Sequence, residues 1–157
     1  MNIDPATSQY PEQASAQPVR VMHIIYRLGI GGLENGLVNL INSSPSNISH
    51  DVICLAGYTD FAGRIGRAGV RVIDLEKRPG KDPASYLRLY KLIRKLRPDV
   101  VHTRNFAALD CQFVAAAAGV RLRIHGEHGW DVSDLDGTRN RHVLVRRASR
   151  LVVHRYV

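Results

Sequence analysis

Cysteine is nearly absent from this chain of 157 residues: Cys54 and Cys111 stand far apart, each inside a largely apolar segment. That scarcity excludes a disulfide framework and a thiolate metal site, and predicts a buried, reduced pair. Long hydrophobic runs are also missing. The longest, Phe113 to Ala118, falls far short of the ~20 residues that cross a bilayer. A basic-then-apolar leader with a small-residue cleavage site is not seen, so no secretory signal is expected. Reduced thiols and no leader together predict a cytoplasmic location, which makes the sequons at Asn42 and Asn47 chance matches. Acids are few, 14 against 22 Lys and Arg, for a net charge of +8.

What is present suits one globular domain. Hydrophobic residues make up 45%, too many for a disordered chain, and the length can enclose a sizeable core. Residues 1–18 are rich in Pro, Gln, Ser and Ala and read as a disordered lead-in, leaving 19–157 as the domain. The charge is concentrated. Between Lys77 and Arg97 lie eight cations and one acid, Asp82, and a second basic stretch runs from Arg139 to Arg155. Such stretches attract phosphate of any kind, or serve simply as solvated faces.

From Val19 onward short β-rich runs alternate with helical patterns. Strands are expected over Val19–Tyr26, His50–Ala56, Val70–Leu75, Asp99–Thr103, Val120–His125 and Leu151–Val157. Helices are expected over Leu33–Ile41, Asp60–Ala68, Asp82–Leu96, Phe106–Ala118 and Arg139–Ser149. Asp82-Pro83 is a helix start, with Asp as N-cap and Pro in the first turn. That helix should bury Tyr86, Leu89, Tyr90, Ile93 and Leu96. Arg88, Lys91 and Lys95 then form a basic stripe, extended by Lys77, Arg78 and Lys81, suited to an anionic membrane surface. The alternation predicts an α/β fold, a Rossmann-like parallel sheet with helices on both faces. The chain stops on an apolar strand with no helix after it, which suggests truncation.

In such a sheet ligands sit beyond the carboxyl ends of the strands. Four loops therefore matter. The first, Gly29-Ile30-Gly31-Gly32-Leu33-Glu34, is a glycine turn opening a helix, where backbone amides and the helix dipole favour an anion. It is not a nicotinamide fingerprint: Glu34 stands where Gly or Ala is needed, and the second strand ends in Cys54-Leu55-Ala56-Gly57 without an acid. The second, Lys77-Arg78-Pro79-Gly80-Lys81, is basic and meets phosphate or stays solvated. The third, His102-Thr103-Arg104-Asn105, puts Arg104 and Asn105 where ligands approach, while His102 alone reads as a packed histidine. The fourth, His125-Gly126-Glu127-His128-Gly129-Trp130-Asp131, gathers groups that donate and accept hydrogen bonds, as sugar hydroxyls require. As a metal site it is weak, because His-Glu-x-x-His is absent. Neither Gly-x-Ser-x-Gly nor an arranged Cys-His pair occurs, so covalent hydrolysis has no support.

The order and spacing of these segments resemble the family-4 retaining glycosyltransferases: Gly31-Gly32-Leu33-Glu34 after strand one, Asp99-Val100-Val101-His102 to Asn105 at strand four, and Ile124 to Gly129 after strand five. They are similar, more narrowly, to the sugar transferases found beside bacterial exopolysaccharide and exosortase systems. The resemblance covers nearly all of the chain from Val19. It implies the N-terminal, acceptor-binding half of a GT-B architecture, acting with a donor-binding half to move a hexose from a nucleotide-diphosphate sugar to a lipid-linked or glycan acceptor. It implies Gly31 and Gly32 at the donor diphosphate and His128 at the transferred sugar as the catalytic residue. Arg104, Asn105, Glu127 and Lys81 complete the expected acceptor or sugar contacts, with no metal or other cofactor. Arg104 departs from the pattern, since many members carry a second histidine there. The family's donor-domain glutamate pair has no place in this chain, so these residues alone are expected to be inactive. Two rivals stay open: a non-catalytic Rossmann-like module holding a phosphorylated ligand, and a nucleic-acid binder. The second is disfavoured because no aromatics are interleaved with the cations on an exposed sheet.

Overall fold

The computed structural model describes residues 17–128 and 140–157. Its centre is a six-stranded sheet of β1 (Val19–Ile25), β2 (Ile48–Cys54), β3 (Arg71–Asp74), β4 (Val100–Arg104), β5 (Leu122–Gly126) and β6 (Arg155–Tyr156). All are parallel, in the order β3-β2-β1-β4-β5-β6. Parallel strands need crossovers, and the helices that make them cover both faces. This is the α/β, Rossmann-like arrangement that the sequence predicts.

Four helices are described: α1 (Gly32–Ser43), α2 (Pro83–Leu96), α3 (Cys111–Ala117) and α4 (Asn140–Ser149). On one face Met22, Ile24, Ile53 and Val101 pack with Leu89, Ile93 and Leu96 of α2 and Cys111 and Ala115 of α3. On the other, Ile25, Val52 and Cys54 pack with Leu37, Val38 and Ile41 of α1 and with Phe61. Both cysteines are buried free thiols, and burial raises that of Cys54 to about 12.

Several expectations change in detail. The helix expected over Asp60–Ala68 is a short 3-10 turn, Asp60–Arg64, because Gly63 and Gly66 deprive the segment of helix propensity. The helix expected over Phe106–Ala118 breaks into a 3-10 turn, Phe106–Ala108, and α3. Tight i→i−3 hydrogen bonds by Leu109, Gln112 and Phe113 separate them. Residues 150–153 close the end of α4 with backbone bonds to 147–149, so the last strand shrinks from Leu151–Val157 to Arg155–Tyr156. Residues 1–16 and 129–139, which take in most of the expected lead-in, the segment from Gly129 to Asp131 and the start of the last helix, lie outside the described residues.

In α2 the expected buried face is turned by one residue. Ser85, Leu89, Ile93 and Leu96 are buried, whereas Tyr86 and Tyr90 are each 36% exposed. The cap sets this rotation: the Asp82 carboxylate accepts from the Ser85 N–H, and the Ser85 hydroxyl donates to the Asp82 carbonyl. The phenol of Tyr86 reaches the Asp110 carboxylate instead of the core. Arg88 leaves the expected basic stripe. Its guanidinium donates to the carbonyls of Leu75 and Glu76 and to Asp82, so only Lys91 and Lys95 of the three remain fully outward.

Candidate functional site

In this strand order the connections from β1 and β4 leave in opposite directions, which opens a crevice at their carboxyl ends. The glycine loop follows β1, and Arg104 and Asn105 end β4. Pairing Arg104 with Gly126 across β4 and β5 brings Glu127 and His128 alongside.

Asn105 shapes the corner. Its backbone has φ 59 and ψ 162, a region occupied almost only by glycine and costing about 1–3 kcal/mol otherwise. Two bonds hold it there. Its N–H donates to the Gly126 carbonyl at 2.7 Å, and its side-chain oxygen accepts from the His128 N–H at 2.9 Å. Asn105 thus fixes the backbone of the residue expected to touch the sugar. Asn105→Gly should leave stability within about 1 kcal/mol, since relief of strain offsets the lost bond. If His128 touches substrate, as the resemblance implies, sugar transfer by a protein carrying this domain should fall by about tenfold, because the His128 backbone is released. Urea unfolding and steady-state kinetics check the two halves; an equal loss in both would mean that Asn105 is only structural.

Arg104 is 5% exposed, an unusual place for a guanidinium. One nitrogen, Nη1, lies 3.3 Å from Nε2 of His128. Its Nε is buried with no hydrogen-bond partner among the described residues, as is Nε2 of His102 on the same strand. Burial lowers the Arg104 pKa. Burial and then the Arg104 charge bring His102 down to about 4, so its ring is neutral near pH 7. Buried polar groups left without partners cost free energy.

Glu127, expected to touch acceptor or sugar, also meets α4. Its carboxylate accepts from Arg146 of α4 at 3.0 Å. The Arg146 guanidinium also lies over the Phe106 ring, 4.9 Å from its centre, and the His142 ring lies tilted against Phe106, with centroids 4.1 Å apart. Glu127 therefore ties α4 to the end of β5. His125 lies 3.7 Å from the same carboxylate, too far for a hydrogen bond. Burial lowers its pKa, so a neutral ring gives no ion pair there. The other nitrogen of His125 bonds the Thr103 hydroxyl at 2.8 Å, and Gln112 donates to that hydroxyl and to the Ile124 carbonyl. This buried polar chain braces β4 against β5.

Gly31 and Gly32 open α1 as expected, with Gly31 as the N-cap. The Glu34 carboxylate folds back over Gly31, into the space that a Cβ there would fill. The first-turn acid meets the helix dipole, so a diphosphate at the same turn would displace it. Beside this loop Ile30, 95% exposed, lines a cavity of about 380 Å³ with Thr59, Asp60 and Phe61. Lys81 is exposed in the loop after β3, on the far side of β1 and β2 from Arg104.

Sequence reasoning passed over a row of histidines. His23 on β1 pairs in register with His102 on β4, their rings 5.6 Å apart. His50 on β2 stacks on His23 at 5.3 Å, with Nε2 and Nδ1 3.1 Å apart. The available signal was the like placement of His23 and His102, each following two apolar strand residues.

The chain was also compared with known proteins. The family model described as Glycosyltransferase Family 4 matches residues 30–156. No curated protein matches the chain.

Proposed function

We propose, from the fact that this chain belongs to Glycosyltransferase Family 4, that it is the acceptor-side half of a GT-B enzyme that transfers a hexose with retention. The donor would be a nucleotide-diphosphate sugar and the acceptor a lipid-linked or glycan hydroxyl, in the assembly of an exopolysaccharide. The observation that carries the reading is the Arg104 guanidinium at the end of β4, nearly buried, with Nη1 3.3 Å from Nε2 of the exposed His128. A phosphate oxygen drawn to that corner meets the cation, and a sugar hydroxyl can bond the His128 ring.

In this reading the acceptor oxygen forms the new bond to the anomeric carbon. The old bond to the diphosphate oxygen breaks, and the acceptor's proton leaves with the nucleoside diphosphate. Arg104 stabilises the growing phosphate charge in a site of low dielectric. Gly31 and Gly32 give the diphosphate access to the amides of α1 once Glu34 swings aside. His128 orients the sugar, Asn105 orients His128, and Glu127 keeps the strand end in place through Arg146. No metal ion or other cofactor is invoked, because amides and cations can hold the leaving diphosphate. The proposed location is the cytoplasmic face of the cell membrane, with Lys91 and Lys95 toward anionic lipid. No described helix is long and apolar enough to cross a membrane.

The test is transfer. These 157 residues, and the same residues joined to a donor-binding half, are incubated with labelled nucleotide sugars and polyprenyl-phosphate-linked acceptors. Product is expected only from the joined protein. Robust turnover by the 157 residues alone would overturn the two-half assignment, and product from neither would overturn the transferase reading.

A further inference from the structure

A second basic site lies at the opposite end of the sheet. The amino ends of β1, β4 and β5 and the carboxyl ends of α2 and α3 surround a cavity of about 340 Å³. Arg20, Arg94, Arg97 and Arg121 line it, with Asp99 as the one carboxylate and Gly119 in its wall.

Neither fold nor cap accounts for three of these four cations. Arg20 is the structural member: its Nη1 donates to the Leu96 carbonyl, and its N–H donates to Asp99. Among the described residues the guanidinium groups of Arg94, Arg97 and Arg121 make no hydrogen bond or ion pair. A helix end attracts cations through its free carbonyls, yet the end of α2 is already met by Arg20 and by the Arg97 N–H, which donates to Ile93. Arg97 also has φ 48, a left-handed position that glycine would fill without strain. Gly119, at φ 80, leaves its side of the cavity open.

We propose that this cavity is a binding site for a phosphate-bearing anion, separate from the crevice at the carboxyl ends of the strands. Three unpaired guanidiniums in a concave surface focus positive potential, and their planar forks match phosphate oxygens. The phosphate can belong to a soluble polyphosphate or to a lipid headgroup.

The probe is inorganic pyrophosphate, titrated into the 157-residue chain and followed by amide NMR. Saturable shifts are expected at Arg94, Arg97, Gly119 and Arg121. The triple change Arg94→Gln, Arg97→Gln, Arg121→Gln should raise the Kd for these shifts at least tenfold, while Arg104→Gln leaves it unchanged. Arg97→Gly separates binding from folding: it should weaken binding severalfold while the unfolding midpoint holds or rises. A lower midpoint with unchanged affinity would make Arg97 structural and overturn its role. Shifts confined to residues 29–34 and 102–128, or a triple variant with unaltered affinity, would overturn the site. Flotation with phosphatidylglycerol vesicles identifies the source. Binding that pyrophosphate relieves, and that neutral phosphatidylcholine vesicles lack, assigns a lipid headgroup; pyrophosphate binding without flotation assigns a soluble anion.

Discussion

Replacing His128 by alanine in a transferase carrying this domain is expected to lower turnover by roughly ten- to a thousandfold, a loss of about 1.4–4 kcal/mol in transition-state stabilisation. The residue is exposed at the crevice and belongs to neither apolar cluster, so the unfolding midpoint should barely move. Its backbone is fixed by Asn105 and its ring meets Arg104, so the imidazole is held in place before any substrate arrives. Such preorganisation lets one hydrogen bond count more in the transition state than in the ground state. Kinetics on the purified variant, beside a urea titration, check both parts. Unchanged turnover would remove His128 from the site, and a large loss of stability would make any kinetic effect uninterpretable as chemistry.

Acidification is the second large effect. His23, His50 and His102 all have pKa values lowered from the usual 6.5, in each case chiefly by burial. His23 is lowered well below it, with further lowering from the neighbouring His102, Arg104 and His50. A histidine with a depressed folded pKa is neutral in the native state and takes up a proton on unfolding. Its contribution is therefore fully present above pH 6.5 and is lost as pH falls toward the folded value. For His102, whose folded value is about 4, the loss by pH 5 is about 2 kcal/mol. His23 and His50 add in the same direction. Against a total stability of about 5–15 kcal/mol, the urea midpoint should drop steeply between pH 7 and pH 5. His102→Gln should flatten part of that slope. Equal midpoints at the two pH values would mean that these imidazoles are solvated or titrate normally.

The two results separate what each histidine does. His102 and His23 sit inside the sheet, and protonating them is paid in stability. His128 stands at the edge, where its loss is expected in turnover rather than in stability. In the sequence His102 and His128 stand at or near strand ends and His23 in mid-strand. His128 was picked out because it follows β5 in a polar loop, and His102 was read as a packed residue. The register that sets His23 beside His102 is a relation between strands 79 residues apart, which no local pattern contains.

Much of the fold was legible because the relevant physics is local. Apolar runs separated by helical periodicity specify parallel strands and crossovers. Asp82-Pro83 specifies the start of α2, and glycines specify where helices cannot continue. Boundaries slipped where competing local bonds decided them, as in the 3-10 turns at Asp60–Arg64 and Phe106–Ala108. The exposed Tyr86 and Tyr90 show the limit of periodicity. It indicates that a helix has an apolar face, but the cap and the neighbouring α3 fix its rotation.

By itself, then, the sequence determined the element order, the sheet type, the glycine opening of α1 and the segments that meet at the strand ends. Those follow from side-chain period, backbone freedom and cap chemistry, all set within a few residues. Only the tertiary structure decided which polar groups are paired. It tied Arg88 to the loop before α2 and Glu127 to Arg146, while leaving Arg104 Nε and His102 Nε2 buried without partners among the described residues. It also gathered Arg20, Arg94, Arg97 and Arg121 from three separate segments around one cavity. Pairing depends on angstrom distances between groups remote in the chain, and burial sets its cost, so neither can be read before the strands are in register.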